Sequence, residues 1–453
     1  MKDPDIVRGT AKTIGRSPDA SSAPQSRRAP LRTLVCVAGA TLLCWTPLAA
    51  QDTTDVAAAD SIAERLERVE EQLALLRQQL ATQAASAVQT HSRASLEIGG
   101  RILTNAFSNS RRVNNSDVPQ VVRPDTASPL PLGGAGMAIR QTMLSLAVTA
   151  PGILGGGLTA SGEVDFFGGQ QPSGAGRHFP LLRLRTASAT LAWTHASLMV
   201  GQEALLIAMP NPVSIASVGT PGFAAAGNLW FWLPQVRLTA ETGGRFRVGV
   251  QGAVLAPGSG DPNGLFDTEP DVAERSRRPF LQGRLRGRWG TDDHAGEMGI
   301  GVHRGWLAAP ADSTLASEAV SVDLVVPLTG WLEIRGEGYR GKLLRGLGGG
   351  GIGQNFGAPA SPGTAAPVLR DKGGWAQLNL RPGAGVTLGG GCGVDDPDDE
   401  DRPVRLRNRA CEGHAIWRPG AMLFGVEYRR LTTDYVADSF SDDHWNVGVG
   451  FEF

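Results

Sequence analysis

The sequence predicts an all-β fold: a transmembrane antiparallel β-barrel of about sixteen strands, preceded by a short periplasmic α-helical coiled coil. Three observations predict it. From Ser95 to Phe453, short runs of alternating apolar and polar residues recur along the chain. The connections between them alternate between long and short. The last run, Trp445 to Phe453, puts aromatic or Val residues on one face and Asn, Gly or Glu on the other, and the chain ends on an aromatic residue. A barrel in an outer membrane has closed hydrogen bonding, brief turns on one side and longer loops on the other, which is a physical cause for such alternation.

Composition agrees with one large β unit. The chain has 453 residues, 41% apolar and 6% aromatic, with 60 Gly and a net charge of -1. Length alone would suggest roughly two or three soluble domains, but frequent Gly and evenly spaced short apolar runs point to one. The near-zero charge gives no reason to expect a nucleic-acid partner. A mean hydropathy slightly below zero is compatible with a barrel, because half of every strand faces a wet lumen.

The N-terminal segments come first. Leu34 to Ala50 is a short apolar stretch that follows Arg27, Arg28 and Arg32 and ends in small residues. It reads as a secretory signal peptide over residues 1–50, removed near Ala50. Cys36 and Cys44 leave with it. Ser26 to Arg32 partly matches a twin-arginine signal; the general export route is the reading adopted, since barrels cross the inner membrane unfolded. Residues 51–94 form an extension. Within 60–81, Ile62, Leu66, Val69, Leu73, Leu76 and Leu80 follow 4-3-4-3-4 spacing, the seam of a coiled coil. Three heptads are marginal alone, so the seam needs partner helices, which points to oligomerisation. Residues 81–94 are a polar linker.

The barrel occupies 95–453. Its strands are expected at 95–107, 137–150, 157–167, 181–193, 196–203, 231–241, 245–256 and 279–289. They continue at 295–306, 317–328, 331–343, 371–381, 384–393, 405–417, 420–431 and 443–453. Long connections fall after every odd-numbered strand: 108–136, 168–180, 204–230, 257–278, 307–316, 344–370, 394–404 and 432–442. Short ones include Thr242-Gly243-Gly244, Pro382-Gly383 and Pro419-Gly420.

Side chains alternate between the two faces of a strand. With Leu281, Leu285 and Trp289 towards lipid, Arg284, Arg286 and Arg288 line the lumen. Val248 and Val250 outward leave Arg245, Arg247 and Gln251 inward; Leu182 and Leu184 leave Arg183 and Arg185; Val236 and Leu238 leave Arg237. Glu163, Asp165, Glu333, Glu337 and Glu427 also point inward. An Arg facing lipid near the midplane would cost roughly 2–4 kcal/mol. The inward Arg residues have two equal readings: a positive wall that favours anions, or Arg–carboxylate pairs that stiffen the barrel.

Three further features stand out. Loop 204–230 is unusually apolar and needs cover, either inside the barrel or at a subunit interface. Cys392 and Cys411, in neighbouring runs within an oxidising compartment, can form a disulfide if register brings them together. Loop 394–404 carries Asp395, Asp396, Asp398, Asp399, Glu400 and Asp401. It reads as a solvated acidic loop rather than a cation site, since its spacing matches no EF-hand.

Taken together, these residues resemble outer-membrane porins of the phosphate-selective and DcaP-like type. The resemblance runs from the coiled coil to the C-terminus. It is carried by the heptads followed by Leu96-Glu97-Ile98-Gly99-Gly100-Arg101, by Gly162 to Gly168, by Arg183-Leu184-Arg185, by Val200-Gly201-Gln202 and by Pro234-Gln235-Val236-Arg237. It implies a homotrimer, a periplasmic coiled coil and passive uptake of small anionic solutes, without a cofactor. The terminal Phe453 resembles the signal read by the barrel-assembly machinery. The phosphate-selective members have Lys-rich pores, whereas the mature chain has only Lys342 and Lys372, so organic anions or general diffusion fit better than phosphate. Two other functions compete: a structural barrel with a sealed lumen, to which Gly-rich loop 344–370 could contribute, and an outer-membrane hydrolase. The hydrolase is disfavoured, because none of the His residues sits in a nucleophile motif. His303 is expected as a solvated lumen side chain.

Overall fold

The structure, a computed structural model, describes residue 72 and residues 94–453 except 126–129, 169–179, 261–268 and 291–294. The signal peptide, the coiled-coil seam and nearly all of the linker lie outside the described residues.

Among the described residues, seventeen strands form one sheet. They are β1 Ser95–Asn109, β2 Gly134–Ala138, β3 Met143–Ile153, β4 Gly156–Asp165, β5 Arg183–Ala192, β6 Ala196–Ala204, β7 Trp232–Glu241, β8 Phe246–Leu255 and β9 Phe280–Trp289. Then follow β10 Gly296–Ala309, β11 Ser313–Pro327, β12 Leu332–Lys342, β13 Arg370–Gly383, β14 Val386–Pro397, β15 Arg405–Trp417, β16 Met422–Tyr435 and β17 Ser439–Glu452. β1 pairs with β3 over Ser95–Arg101 and with β2 over Asn105–Asn109. β2 and β3 are therefore two halves of one stave, and the barrel has sixteen places. It closes where β1 pairs antiparallel with β17, from Arg101↔Glu452 to Asn109↔His444. Beyond that ladder, Gly100 and Phe453 exchange backbone hydrogen bonds of 3.0 Å in both directions. Closure leaves no unpaired sheet edge, the condition for β-structure in lipid.

Three connections are shorter than the alternation predicts. β10 and β11 run on until only 310–312 separate them, β16 and β17 leave 436–438, and β14 extends to Pro397. The cause lies in the side chains. Thr432 pairs with Ser441, and Ser439 donates to Asp434, across the β16–β17 hairpin. Polar ladders on strand ends that rise above the apolar band look like loop in sequence.

The outward face is apolar: Ile98, Leu238, Val250, Ile300, Val322 and Val447 are all exposed. Such a continuous belt is suited to lipid and not to water. The packed core lies inside the barrel. Loops 205–231 and 343–369 enter the lumen, where Leu205, Leu206, Ile207 and Leu229 pack with Leu343, Leu344 and Leu347 against wall residues Phe280, Leu307 and Tyr339.

Candidate functional site

The candidate site is the lumen, and loop 205–231 shapes it. Backbone groups buried away from water need partners, and inward wall side chains provide them. Gln282 Oε1 accepts from Leu206 N at 2.8 Å, Gln377 Oε1 from Val213 N at 2.7 Å and Gln141 Oε1 from Val218 N at 2.9 Å. Ser214 Oγ donates to Glu427. Arg335 and Asn408 donate to the carbonyls of Asn211 and Ala225 at 2.8 and 2.7 Å. Ile215 lies over Gly425 and Gly448, where any side chain would collide with it. The loop thus lines the wall from β9 to β17. Inward Ser145, Thr159, Ser161, Ser188 and Thr190 on β3–β5 retain solvent access and bound the remaining passage.

Most of the Arg residues expected to face inward sit on the covered face of their strands. Arg185, Arg237, Arg284 and Arg286 are buried on the lumen side, Arg183, Arg247 and Arg288 partly so. Arg245 is the exception: it sits exposed in the tight turn before β8, because the strand begins only at Phe246. The inward Arg side chains are bound to carboxylates. Arg183 Nε donates to Asp165 at 3.0 Å, and Arg185 lies 3.7 Å from Glu163 and 3.6 Å from Asp165. Arg284 reaches Glu297 at 2.6 Å and Asp323. Arg286, Arg288 and Arg247 converge on Glu241. Arg237 instead donates to Gln235 and to the carbonyl of Ala204 at 2.6 Å. Of the two readings of the Arg wall, the paired one describes this geometry. Glu333, with Arg335 and Arg381, and Glu427, with Arg429, belong to similar inward networks.

Arginine side chains gather at the mouth on the long-loop side. A pocket of about 420 Å³ is lined by Arg112, Arg123, Arg345 and Arg405, with Trp230, Phe231 and Tyr435. No carboxylate is among the residues lining it. Arg112 and Arg123 lie in a connection to which the sequence assigns no role; only the meeting of five connections, those after β1, β6, β8, β12 and β14, makes the pocket.

Other expectations resolve as follows. His303 is buried, not solvated, and bonds to Gln282 and Ser317, both at 3.2 Å. The acidic residues of 394–404 do not converge. Asp395 points into the lumen, while Asp396 lies outside between Lys372 and Arg407, at 3.2 and 2.8 Å. Asp398, Glu400 and Asp401 surround Arg370. Burial pushes the Asp401 carboxyl up, but the hydrogen bonds and charge of Arg370 outweigh it and hold it below the usual carboxylate range. Among the described residues no group of three or more His, Cys, Asp or Glu could hold a metal ion. Cys392 and Cys411 are directly opposite in register on the outward face, with sulfurs 2.12 Å apart. Phe453 is exposed and stacks near Phe451, ring centroids 6.1 Å apart.

A closed barrel, greasy outside and polar within, with one long loop folded along its inner wall, defines the porin class of outer-membrane fold. Within that class the chain is similar to the outer membrane channel DcaP of Acinetobacter baumannii, at a TM-score of 0.64 and 15% identity, over 81% of this chain and 100% of that one. It is also similar to an anion-selective porin from Comamonas acidovorans, at a TM-score of 0.50 and 11% identity, over 80% of this chain and 100% of that one. At these identities the likeness concerns the fold. No protein-family model and no curated protein matches the sequence.

Proposed function

We propose that the protein is a passive outer-membrane channel for small hydrophilic solutes with a preference for anions, acting without a cofactor as a homotrimer. The observation that supports the anion preference is the mouth pocket, which four Arg side chains line. Guanidinium groups there offset part of the dehydration of an entering anion. The paired wall below is close to neutral and favours neither sign. The proposal draws further support from DcaP being a channel and from the anion selectivity of the Comamonas porin. On this reading the tight turns and the segment before residue 94 face the periplasm, and the disulfide Cys392–Cys411 braces the wall in an oxidising compartment.

A second reading, a structural barrel with a sealed lumen, is favoured by the burial of loops 205–231 and 343–369 against the inner wall. Planar-bilayer recording separates the two. Steps of conductance with a reversal potential on the anion side support the channel; a folded barrel that conducts nothing supports the sealed form.

A further inference from the structure

The outward face carries a charged border on one half of the barrel. Each of β11–β17 presents four outward positions without charge, five on β14, and then a charged one. On β12 these are Leu332, Ile334, Gly336 and Gly338, then Arg340; on β13 Leu380, Leu378, Ala376 and Gly374, then Lys372. Glu318, Asp396 and Asp443 occupy the same place on β11, β14 and β17. Outward positions lie about 6.7 Å apart along a strand, and strands tilt by about 40°. Four of them span roughly 20 Å of height, close to the apolar band of an outer-membrane barrel. The border therefore stands where lipid tails give way to headgroups on the long-loop side. Among the described residues, β1–β9 have no outward charge.

Most of the border neutralises itself: Glu318 lies 2.8 Å from Lys342, and Asp434 3.1 Å from Arg409. One place does not. On β12 and β13, Arg340 stands directly opposite Lys372, and Lys342 opposite Arg370. Like charges directly opposite across a ladder are destabilising. Lys342, Lys372 and Arg370 each have an acidic neighbour, at 2.8, 3.2 and 2.9 Å. The Arg340 side chain, which is exposed, makes neither an ion pair nor a hydrogen bond with the described residues. Directly below, the outward positions Gly338, Gly374 and Ala376 are small and form a low channel between the larger Val320 and Val322 on β11 and Val394 on β14.

We propose that this quartet binds the phosphate of an anionic lipid headgroup in the outer leaflet, with an acyl chain lying in the small-residue channel beneath it. A phosphate between Arg340 and Lys372 relieves their mutual repulsion, and the planar guanidinium can hold two of its oxygens. The channel selects a lipid over free phosphate, since it adds apolar contact that an ion cannot use. The inference rests on the outer-membrane reading but not on conduction.

Native mass spectrometry on the full mature chain, folded into nanodiscs of a phosphorylated glycolipid mixed with zwitterionic phospholipid and then released in mild detergent, tests it. Folding of each variant is checked by heat-modifiable gel mobility, and conductance is recorded in parallel. The expected result is retained glycolipid in the native protein and in Arg340→Lys, and about tenfold lower occupancy in the Arg340→Gln/Lys372→Gln double variant, with conductance unchanged. Equal glycolipid occupancy in the double variant overturns the proposal. So does displacement of the lipid by inorganic phosphate at equal concentration, which would mark a simple ion site. Loss of subunit association at unchanged lipid occupancy would overturn it too, by assigning the quartet to a protein contact.

Discussion

Arg284 on β9 reaches Asp323 on β11 by passing over Gly299 on the strand between them. Its Nε lies 3.1 Å from Asp323 Oδ2, and a side chain on Gly299 would collide with the guanidinium. A third partner, Glu297 on β10, accepts from the same group at 2.6 Å. One arginine thus ties three consecutive staves together from the lumen side.

Removing one partner of a buried ion pair leaves the other uncompensated. Asp323→Asn is expected to destabilise the barrel by about 3 kcal/mol, and Gly299→Val to do so by a similar route, through displacement of Arg284. The shift in temperature at which the folded band on an unheated gel is lost measures both. No shift in either variant would remove this bracing role.

Selectivity should respond to the wall with a definite sign. Arg284→Ala, Arg286→Ala and Arg288→Ala together delete three cations and leave Glu241, Glu297 and Asp323 behind. Reversal potentials in a salt gradient should move towards cations. Glu241→Gln with Glu297→Gln should move them the other way.

At the mouth, Arg112→Gln with Arg345→Gln should lower the anion-to-cation permeability ratio severalfold while leaving the folded band intact, because both side chains line the pocket and neither lies in a strand. An unchanged ratio would transfer the anion preference elsewhere.

Besides apolar packing, the inner loop is held by hydrogen bonds of about 1 kcal/mol each. Gln141→Ala with Gln377→Ala removes the acceptors of Val218 N and Val213 N. Larger and noisier single-channel conductance is the expected outcome, since a detached loop widens the passage intermittently.

For the disulfide, a bridge across a sequence separation of 19 residues stabilises by about 3 kcal/mol in the chain-entropy view. Cys392→Ser, or reduction, should lower the unfolding temperature without altering conductance, because both sulfurs are on the outward face.

Much of this was legible in the sequence. Alternation around Leu281-Gln282-Gly283-Arg284-Leu285 determines which residues face lipid, because a period of two has only two solutions and one puts guanidinium in the hydrocarbon. The approximate strand positions follow, as do the apolar loop's need for cover and the apposition of Cys392 with Cys411. Polar strand ends such as Thr432 and Ser441 look like loop in the sequence, since their alternation is between two polar faces.

Which charges meet, however, depends on register and closure. Arg284 and Asp323 are 39 residues apart, and Asn105 and Asn446, which hydrogen-bond at 2.7 Å, are 341 apart. No local pattern encodes such distances. The sequence alone determined a barrel with an apolar skin and a charged interior. The tertiary structure decided that most interior arginines meet carboxylates, that the mouth gathers Arg112, Arg123, Arg345 and Arg405, and that loop 205–231 lies along the inner wall. The physical reason is that facing is set by neighbours along one strand, whereas partners are set by the order in which strands close into a ring.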